Sequence, residues 1–170
     1  KSGILIKSAT ALETAHKIDT VILDKTGTIT AGKPVVTDIL PIKITENELL
    51  AFAAGLEKLS EHPLGEAIVA AAEAKQLVLP EAGNYKQIPG QGVTAELAGA
   101  ECAAGNLRLL EALNVDVSSL MERYDKLAAQ GKTPLYFVLA GELLGCIAVA
   151  DTVKPTSGEA IGKLQAMGLR

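Results

Sequence analysis

Residues 21–30 read VILDKTGTIT. Three apolar residues run straight into Asp24, and small or hydroxyl-bearing residues follow it. With Thr20 included, the run TVIL is continuously apolar rather than alternating. That is the pattern of a parallel strand covered on both faces, so it predicts a buried strand that ends at Asp24. In open α/β sheets the carboxyl ends of strands are where ligands bind. A carboxylate placed there can attack a phosphoryl group and form an aspartyl phosphate, which divides one difficult displacement into two. The neighbours suit that chemistry: Lys25 brings positive charge, Thr26 and Thr28 bring hydroxyls, and Gly27 lets the backbone curl around a phosphate.

Working outward, ATALETAHK (9–17) is weakly helical and GILIK (3–7) reads as extended. Beyond TAGKP the character changes. VVTDILPI (35–42) predicts a strand, and TENELLAFAAGLEKLS (45–60) predicts a helix capped by Thr45 with acids in its first turn. HPLGEAIVAAAEAKQ (62–76) opens a second helix on a proline. NYKQI, GVTAEL and AECAA, punctuated by Gly and Pro, read as short strands. NLRLLEAL and VSSLMERYDKLAAQ read as helices, the second stopped by Gly131. TPLYFVLA and ELLGCIAVA bracket Ala140 and Gly141 as a hairpin, and KPTSGEAIGKLQAMG closes with helical periodicity. The organisation implied is an α+β unit over residues 34–143, inserted between a first α/β piece (1–33) and a second (144–170). The outer pieces supply too few strands for an ordinary sheet.

Composition narrows the function. A chain of 170 residues that is 48% hydrophobic can bury a sizeable core. Sixteen Lys and Arg against twenty Asp and Glu, with no basic block, argue against a nucleic-acid partner. The apolar runs LLAFAAG and AIVAAA are too short to cross a bilayer, and no signal-peptide pattern opens the sequence. Cys102 and Cys146 lack metal-ligand spacing and read as buried small hydrophobes of a reducing compartment, the cytoplasm.

Two glycine-rich patterns fail on inspection. GTITAGKP (27–34) imitates a P-loop but ends in Pro34, which has neither the hydroxyl that binds Mg²⁺ nor a backbone donor. GQGVTA (90–95) imitates a dinucleotide fingerprint but leads into a strand, so the anion-binding helix end is missing. It can still be a turn whose bare backbone admits a flat ligand.

DKTGT (24–28) resembles the phosphorylation motif of P-type ATPases, within the haloacid-dehalogenase-like group of aspartate-nucleophile enzymes. Related phosphatases place a second carboxylate two residues after the nucleophile, where it serves as general acid and base. Thr26 stands there in this chain, which implies a phosphoenzyme that persists long enough to drive a conformational cycle. SEHPLGEAI (60–68) resembles the Ser-Glu-His-Pro signature of the heavy-metal-transporting subgroup, with Glu57 just upstream. The resemblance implies that His62 holds the adenine of ATP, with Glu57 at or beside the base. It also assigns Gly90, Gly92, Gly105 and Asn106 to the nucleotide pocket. His62 precedes Pro63 at a helix start, so its ring can project from a rigid turn and lie flat on a base, although a helix-capping histidine would carry the same local pattern.

The likeness runs along nearly the whole chain, including GILIKSATALE, GKTPLYFVLAGELLG and the stretch from Asp151 to Lys154. Ser8 and Ala9 stand where the family often has a Gly pair. Lys154 could steady the hinge or the phosphate region, or be a surface lysine; His16 reads as a surface residue. The family's T-G-D and G-D-G-x-N-D motifs, its membrane helices and its Cys-Pro-Cys type ion motif do not occur in these residues. The implied fold is a nucleotide-binding domain, an antiparallel sheet flanked by helices, inserted in a truncated haloacid-dehalogenase-like phosphorylation domain. The implied function is that of the cytoplasmic ATP-binding and aspartyl-phosphorylation loop of a membrane-embedded ATP hydrolase. Such a pump would export a heavy metal, copper(I) by context, and the ion would bind in membrane parts outside this sequence. Mg²⁺ would bridge the γ-phosphate, the Asp24 carboxylate and the Thr26 carbonyl. A nucleotide-binding regulatory or interaction module without phosphoryl transfer is the alternative, and a soluble phosphatase is disfavoured by Thr26.

Overall fold

The computed structural model describes residues 5–118 and 121–170. In chain order its elements are α1 (Ala9–Ala15), β1 (Thr30–Pro41), α2 (Glu46–Glu57), α3 (Pro63–Ala74), β2 (Ala82–Ile88), β3 (Gly92–Leu97), β4 (Ala100–Gly105), α4 (Leu107–Ala112), α5 (Met121–Ala129), β5 (Thr133–Leu139), β6 (Glu142–Val153) and α6 (Ser157–Ala166). Parts of the extended run expected at 3–7 and of the helix expected at 117–130 lie outside the described residues.

Alternation along three strands builds the core. Cys102 and Ala104 on β4, Phe137 on β5, and Ile147 and Val149 on β6 join one apolar cluster. Ala103, Tyr136, Val138 and Cys146, one residue out of step with them, join another. Successive side chains of a strand point to opposite faces, so these strands are apolar on both sides and need two covers. One cover is the α2 and α3 pair, which contributes Leu49, Leu50, Phe52, Leu56 and Ile68 to the first cluster. The other cluster takes Leu109 and Leu110 from α4, while Tyr124 of α5 stacks on Tyr136 with ring centroids 6.2 Å apart. The six strands run in the order β1-β6-β5-β4-β3-β2, and the described pairings from β2 to β6 are antiparallel.

Local chemistry places the boundaries. Thr45 and Glu48 form a reciprocal capping box: the Glu48 amide donates to Thr45 Oγ1 at 3.2 Å and the Thr45 amide donates to Glu48 Oε2 at 2.7 Å. Pro63 occupies the first turn of α3, where its missing N–H costs nothing. Ala140 and Gly141, with φ of 49° and 78°, make the two-residue turn that joins β5 to β6. Pro34 is accommodated because β1 lies at the sheet edge.

By compactness the chain divides into two units, Lys33–Thr152 and a second formed by residues up to Gly32 together with Val153–Arg170. Residues 144–152, which the sequence reading groups with the final piece, belong to β6 and lie largely inside the Lys33–Thr152 core. β6 runs on through this stretch because Cys146, Ile147, Ala148 and Val149 are all buried.

The buried strand expected at residues 20–23 is not present. Ile22 is 94% exposed and Leu23 is exposed as well. The segment makes only the start of a ladder, with the Val21 amide donating to the Arg170 carbonyl at 2.8 Å and the Arg170 amide donating to the Asp19 carbonyl at 2.9 Å. A continuous apolar run becomes a core strand only when neighbours pair with it and two layers cover it. Among the described residues neither condition is met, so Asp24 follows an extended segment rather than a strand end.

Tyr136 is 1% exposed, and its hydroxyl has no hydrogen-bond partner among the described residues. Burial pushes its phenol pKa up. Tyr136→Phe is therefore expected to leave the unfolding free energy measured in urea unchanged or to raise it by up to about 1 kcal/mol, because it removes a desolvated hydroxyl without opening a cavity. A loss larger than about 1 kcal/mol would show that the hydroxyl is bonded in solution.

Candidate functional site

A cavity of about 290 Å³ opens in the Lys33–Thr152 unit where β4 ends. The last β4–β5 pair is Gly105 with Tyr136, so Thr133, Pro134 and Leu135 extend past β4 and form one wall. Pro134 fits there because its missing N–H faces no β4 partner. The opposite wall is the segment that connects α2 to α3, and the rim is the turn before β3. Glu57, His62, Gly90, Gly92, Gly105 and Asn106, spread over fifty residues of sequence, all line this one cavity. Ser60, Gly65 and Gln91 line it as well, and the sequence analysis did not single them out.

Each of these residues has a local reason for its position. Ile88-Pro89-Gly90-Gln91 is a turn closed by the Gln91 amide on the Ile88 carbonyl at 3.0 Å. Proline precedes Gly90, whose φ of 71° only glycine adopts readily. Asn106 ties this turn to α4. Its Nδ2 donates to the Gly90 carbonyl at 2.9 Å, its backbone amide donates to the Gln91 carbonyl at 2.9 Å, and its Oδ1 caps α4 by accepting from the Arg108 amide at 3.0 Å. Gly92 and Gly105 face each other across β3 and β4. A Cβ on Gly92 would lie 2.1 Å from the Ala104 carbonyl oxygen, and one on Gly105 would lie 2.3 Å from the Gln91 carbonyl oxygen. Both glycines are required for the backbone approach itself, whatever binds beside it.

His62 caps α3, its Nδ1 accepting from the Leu64 amide at 3.2 Å. Its own amide donates to Ser60 Oγ at 3.2 Å. An accepting Nδ1 puts the proton of the neutral ring on Nε2, so one nitrogen is engaged and the other is a donor. The capping role and a place on the cavity wall coexist, because the ring is exposed. Glu57 is 6% exposed, and burial holds its pKa above the usual carboxylate range despite a hydrogen bond from Ser60 and the proximity of His62. Gly65 lets the helix pass: a Cβ there would sit 2.5 Å from Glu57 Oε2.

Asp24 belongs to the other unit, with Lys25, Thr26 and Thr28. It is exposed and makes no side-chain capping bond to the wide turn Lys25–Ile29 that follows it. Thr26 has extended dihedrals and Gly27 a φ of 76°, so the chain bends sharply just beyond the carboxylate. The turn is held from outside the DKTGT motif. Thr30 Oγ1 accepts from the Gly27 amide at 3.2 Å and donates to the Lys25 carbonyl at 3.0 Å. Lys154 Nζ donates to the Gly27 carbonyl, and Ser157 Oγ donates to the Ile29 carbonyl at 2.7 Å. Thr30 and Ser157 lacked any motif signal strong enough to mark them. The two cysteines are both free and buried, as expected, and burial pushes the Cys146 thiol up to about 12, so it stays protonated and inert.

Two measurements follow from this geometry. Gly92→Ala is expected to destabilise the chain by about 1–3 kcal/mol in urea unfolding, since the added methyl meets backbone rather than a movable side chain. Glu57 has a raised pKa in the folded state, so the stability it contributes is complete below its unfolded pKa and is lost as pH rises through the folded value. Stability measured from pH 4 upward is thus expected to fall more for the native chain than for Glu57→Gln, which carries no ionisable group; parallel profiles would show that the carboxyl is not desolvated.

Residues 18–170 match the haloacid dehalogenase-like hydrolase family. The chain is 43% identical over 168 residues to the copper-exporting P-type ATPase of Bacillus subtilis, which covers 98% of this chain and 21% of that protein. It thus spans about a fifth of the length of the curated relatives it matches. A solved structure of a zinc-transporting PIB-type ATPase in the E2.Pi state superposes over 98% of this chain and 27% of its own, with 34% identity and a TM-score of 0.85. The N-domain of HMA8, a copper-transporting P-type ATPase, is matched over 99% of its length by 68% of this chain, with 34% identity and a TM-score of 0.60. The chain therefore belongs to the haloacid dehalogenase-like hydrolases, and the relatives it resembles along nearly its whole length are heavy-metal P-type ATPases.

Proposed function

We propose that the Lys33–Thr152 unit binds ATP and that Asp24 accepts its γ-phosphoryl group, within the cytoplasmic part of a heavy-metal-translocating P-type ATPase. The convergence of Glu57, His62, Gly90, Gly92, Gly105 and Asn106 on one cavity carries the reading. Adenine is flat and polar at its edges. The His62 ring stacks on its face, the bare backbone at Gly90 and Gly92 lets it approach, and the Glu57 carboxyl meets a polar edge of the base. A carboxyl meets such an edge as an acceptor when ionised and as a donor when protonated. Asn106, already holding the Gly90 turn and the start of α4, keeps the rim fixed.

The Asp24 side is read from exposure and chemistry. One carboxylate oxygen attacks the γ-phosphorus, a P–O bond to Asp24 forms, the bond to the β-phosphate oxygen breaks, and ADP leaves with that electron pair. Water later attacks the acyl phosphate, releasing inorganic phosphate and restoring the carboxylate. Lys25 offsets the growing negative charge, while Thr26 and Thr28 offer hydroxyls to the phosphoryl oxygens. With Thr26 where a second carboxylate would supply a general base, the acyl phosphate persists. Mg²⁺ fits the donor set in part. The Asp24 carboxylate and the Thr26 carbonyl are hard oxygens of the kind it takes alongside nucleotide phosphates and water, whereas no cluster of three or more His, Cys, Asp or Glu side chains occurs among the described residues. When bound, it would neutralise charge on the phosphates.

No described helix is long and apolar enough to cross a membrane. In this reading the transported ion is copper(I), bound by the membrane part of the parent protein. Calorimetry with ATP tests the nucleotide site: His62→Ala is expected to weaken binding roughly 5- to 10-fold, the loss of about 1 kcal/mol of ring stacking. Unchanged affinity would remove His62 from the adenine contact. Given γ-labelled ATP, the intact parent is expected to acquire an acid-stable, hydroxylamine-labile label that Asp24→Asn abolishes, while the same substitution leaves ATP affinity of the chain unchanged. Absence of that label with ATP still bound favours the nucleotide-binding regulatory module.

A further inference from the structure

Among the described residues the buried polar or charged side chains are Thr30, Glu57 and Ser157, at 4%, 6% and 8% exposure. Burying a polar group costs free energy unless it is bonded, so each such residue invites an explanation. Glu57 lies in the nucleotide cavity. Thr30 and Ser157 lie outside the DKTGT motif, 127 positions apart, yet both spend their hydroxyls on the turn that follows Asp24.

The turn needs such support. The Thr30 amide donates to the Lys25 carbonyl across the turn, but Thr26 and Gly27 have non-helical dihedrals, so a regular helical ladder does not satisfy the rest of its backbone. Thr30 closes it from within, donating to the Lys25 carbonyl and accepting from the Gly27 amide with one hydroxyl. The far end is fixed by the start of α6. The Ile29 carbonyl accepts both the Lys154 amide at 2.9 Å and Ser157 Oγ at 2.7 Å, which fills its two lone-pair directions. The Ser157 amide in turn donates to the Lys154 carbonyl at 3.0 Å, so the α6 start is a closed turn rather than a loose strap. All these groups belong to one compact unit.

We propose that Ser157 and Thr30 are positioning residues for phosphoryl transfer. Their hydroxyls hold the backbone on the C-terminal side of Asp24 in one conformation, so that the carboxylate is aimed before the nucleotide arrives and no reorganisation is left for the transition state. The inference rests on Asp24 being the phosphoryl acceptor. Because the nucleotide-cavity residues belong to the other unit, the loss of either hydroxyl should slow the chemical step and leave nucleotide affinity alone.

The test is rapid-quench labelling of the intact ATPase with γ-labelled ATP over a range of ATP concentrations. Ser157→Ala and Thr30→Val are each expected to lower the maximal rate of phosphoenzyme formation about 10- to 100-fold at an unchanged half-saturating ATP concentration. Ser157→Thr and Thr30→Ser, which keep a hydroxyl, are expected to restore most of the rate. The double variant Ser157→Ala with Thr30→Val should lose less than the product of the two single losses, because both act on one turn. A native maximal rate in Ser157→Ala, an equal loss in Ser157→Thr, or a loss confined to half-saturating ATP would overturn the positioning role. A label that survives Asp24→Asn is a different failure: it removes the acceptor itself, and the positioning role falls with it.

Discussion

The side-chain-free approach of β3 and β4 at Gly92 and Gly105 is the constraint on which the cavity at the end of β4 depends. With carbonyl oxygens lying where either Cβ would go, the two backbones meet more closely than any other residue pair allows. That approach brings the Gly90 turn against Asn106, whose side chain bonds the turn and caps α4. β4 ends at Gly105, where Asn106 starts α4, and the first residues of β5 run on past it to form a wall. Remove the close contact and the turn, the cap and the wall lose their common reference. The glycines are therefore structural first, and their place in a binding site follows from the space they leave.

The two units use opposite strategies to hold chemistry. In Lys33–Thr152 the cavity sits at the rim of a sheet with apolar clusters on both faces, and burial dominates: it shapes the cavity and raises the pKa of the Glu57 carboxyl. Around Asp24 there is little burial to rely on, since neighbouring apolar side chains such as Ile22 are exposed. Hydrogen bonds take over. Thr30, Lys154 and Ser157 satisfy backbone groups of the turn individually, which is why two of those three side chains are buried in an otherwise open region.

Much of this architecture was legible in the residues. The capping box at Thr45, the Pro63 start of α3, the Gly-bounded strands and the Ala140-Gly141 turn are local signals, each tied to a neighbour within about four residues, and short-range chemistry decides them. The apolar run at residues 20–23 misled for the converse reason. Periodicity shows that a segment can be buried, but pairing partners and covering layers decide whether it is. β6 likewise runs unbroken from Glu142 to Val153, past residue 144 where the final piece was expected to begin, since burial along a strand is decided by what packs against it.

By itself, then, the sequence determined the kinds of element, the two covers the sheet requires, and the residue types able to act on a phosphoryl group. These depend on side-chain chemistry and local spacing alone. The residues from Glu57 to Asn106 were grouped in one pocket by resemblance alone; only the tertiary structure supplied the physical means by which they line one cavity, by which His62 both caps a helix and lines it, and by which Ser157 reaches back across the chain to the turn beside Asp24. Such meetings join residues far apart along the chain. They arise from strand register and backbone approach, for which a linear pattern has no signature.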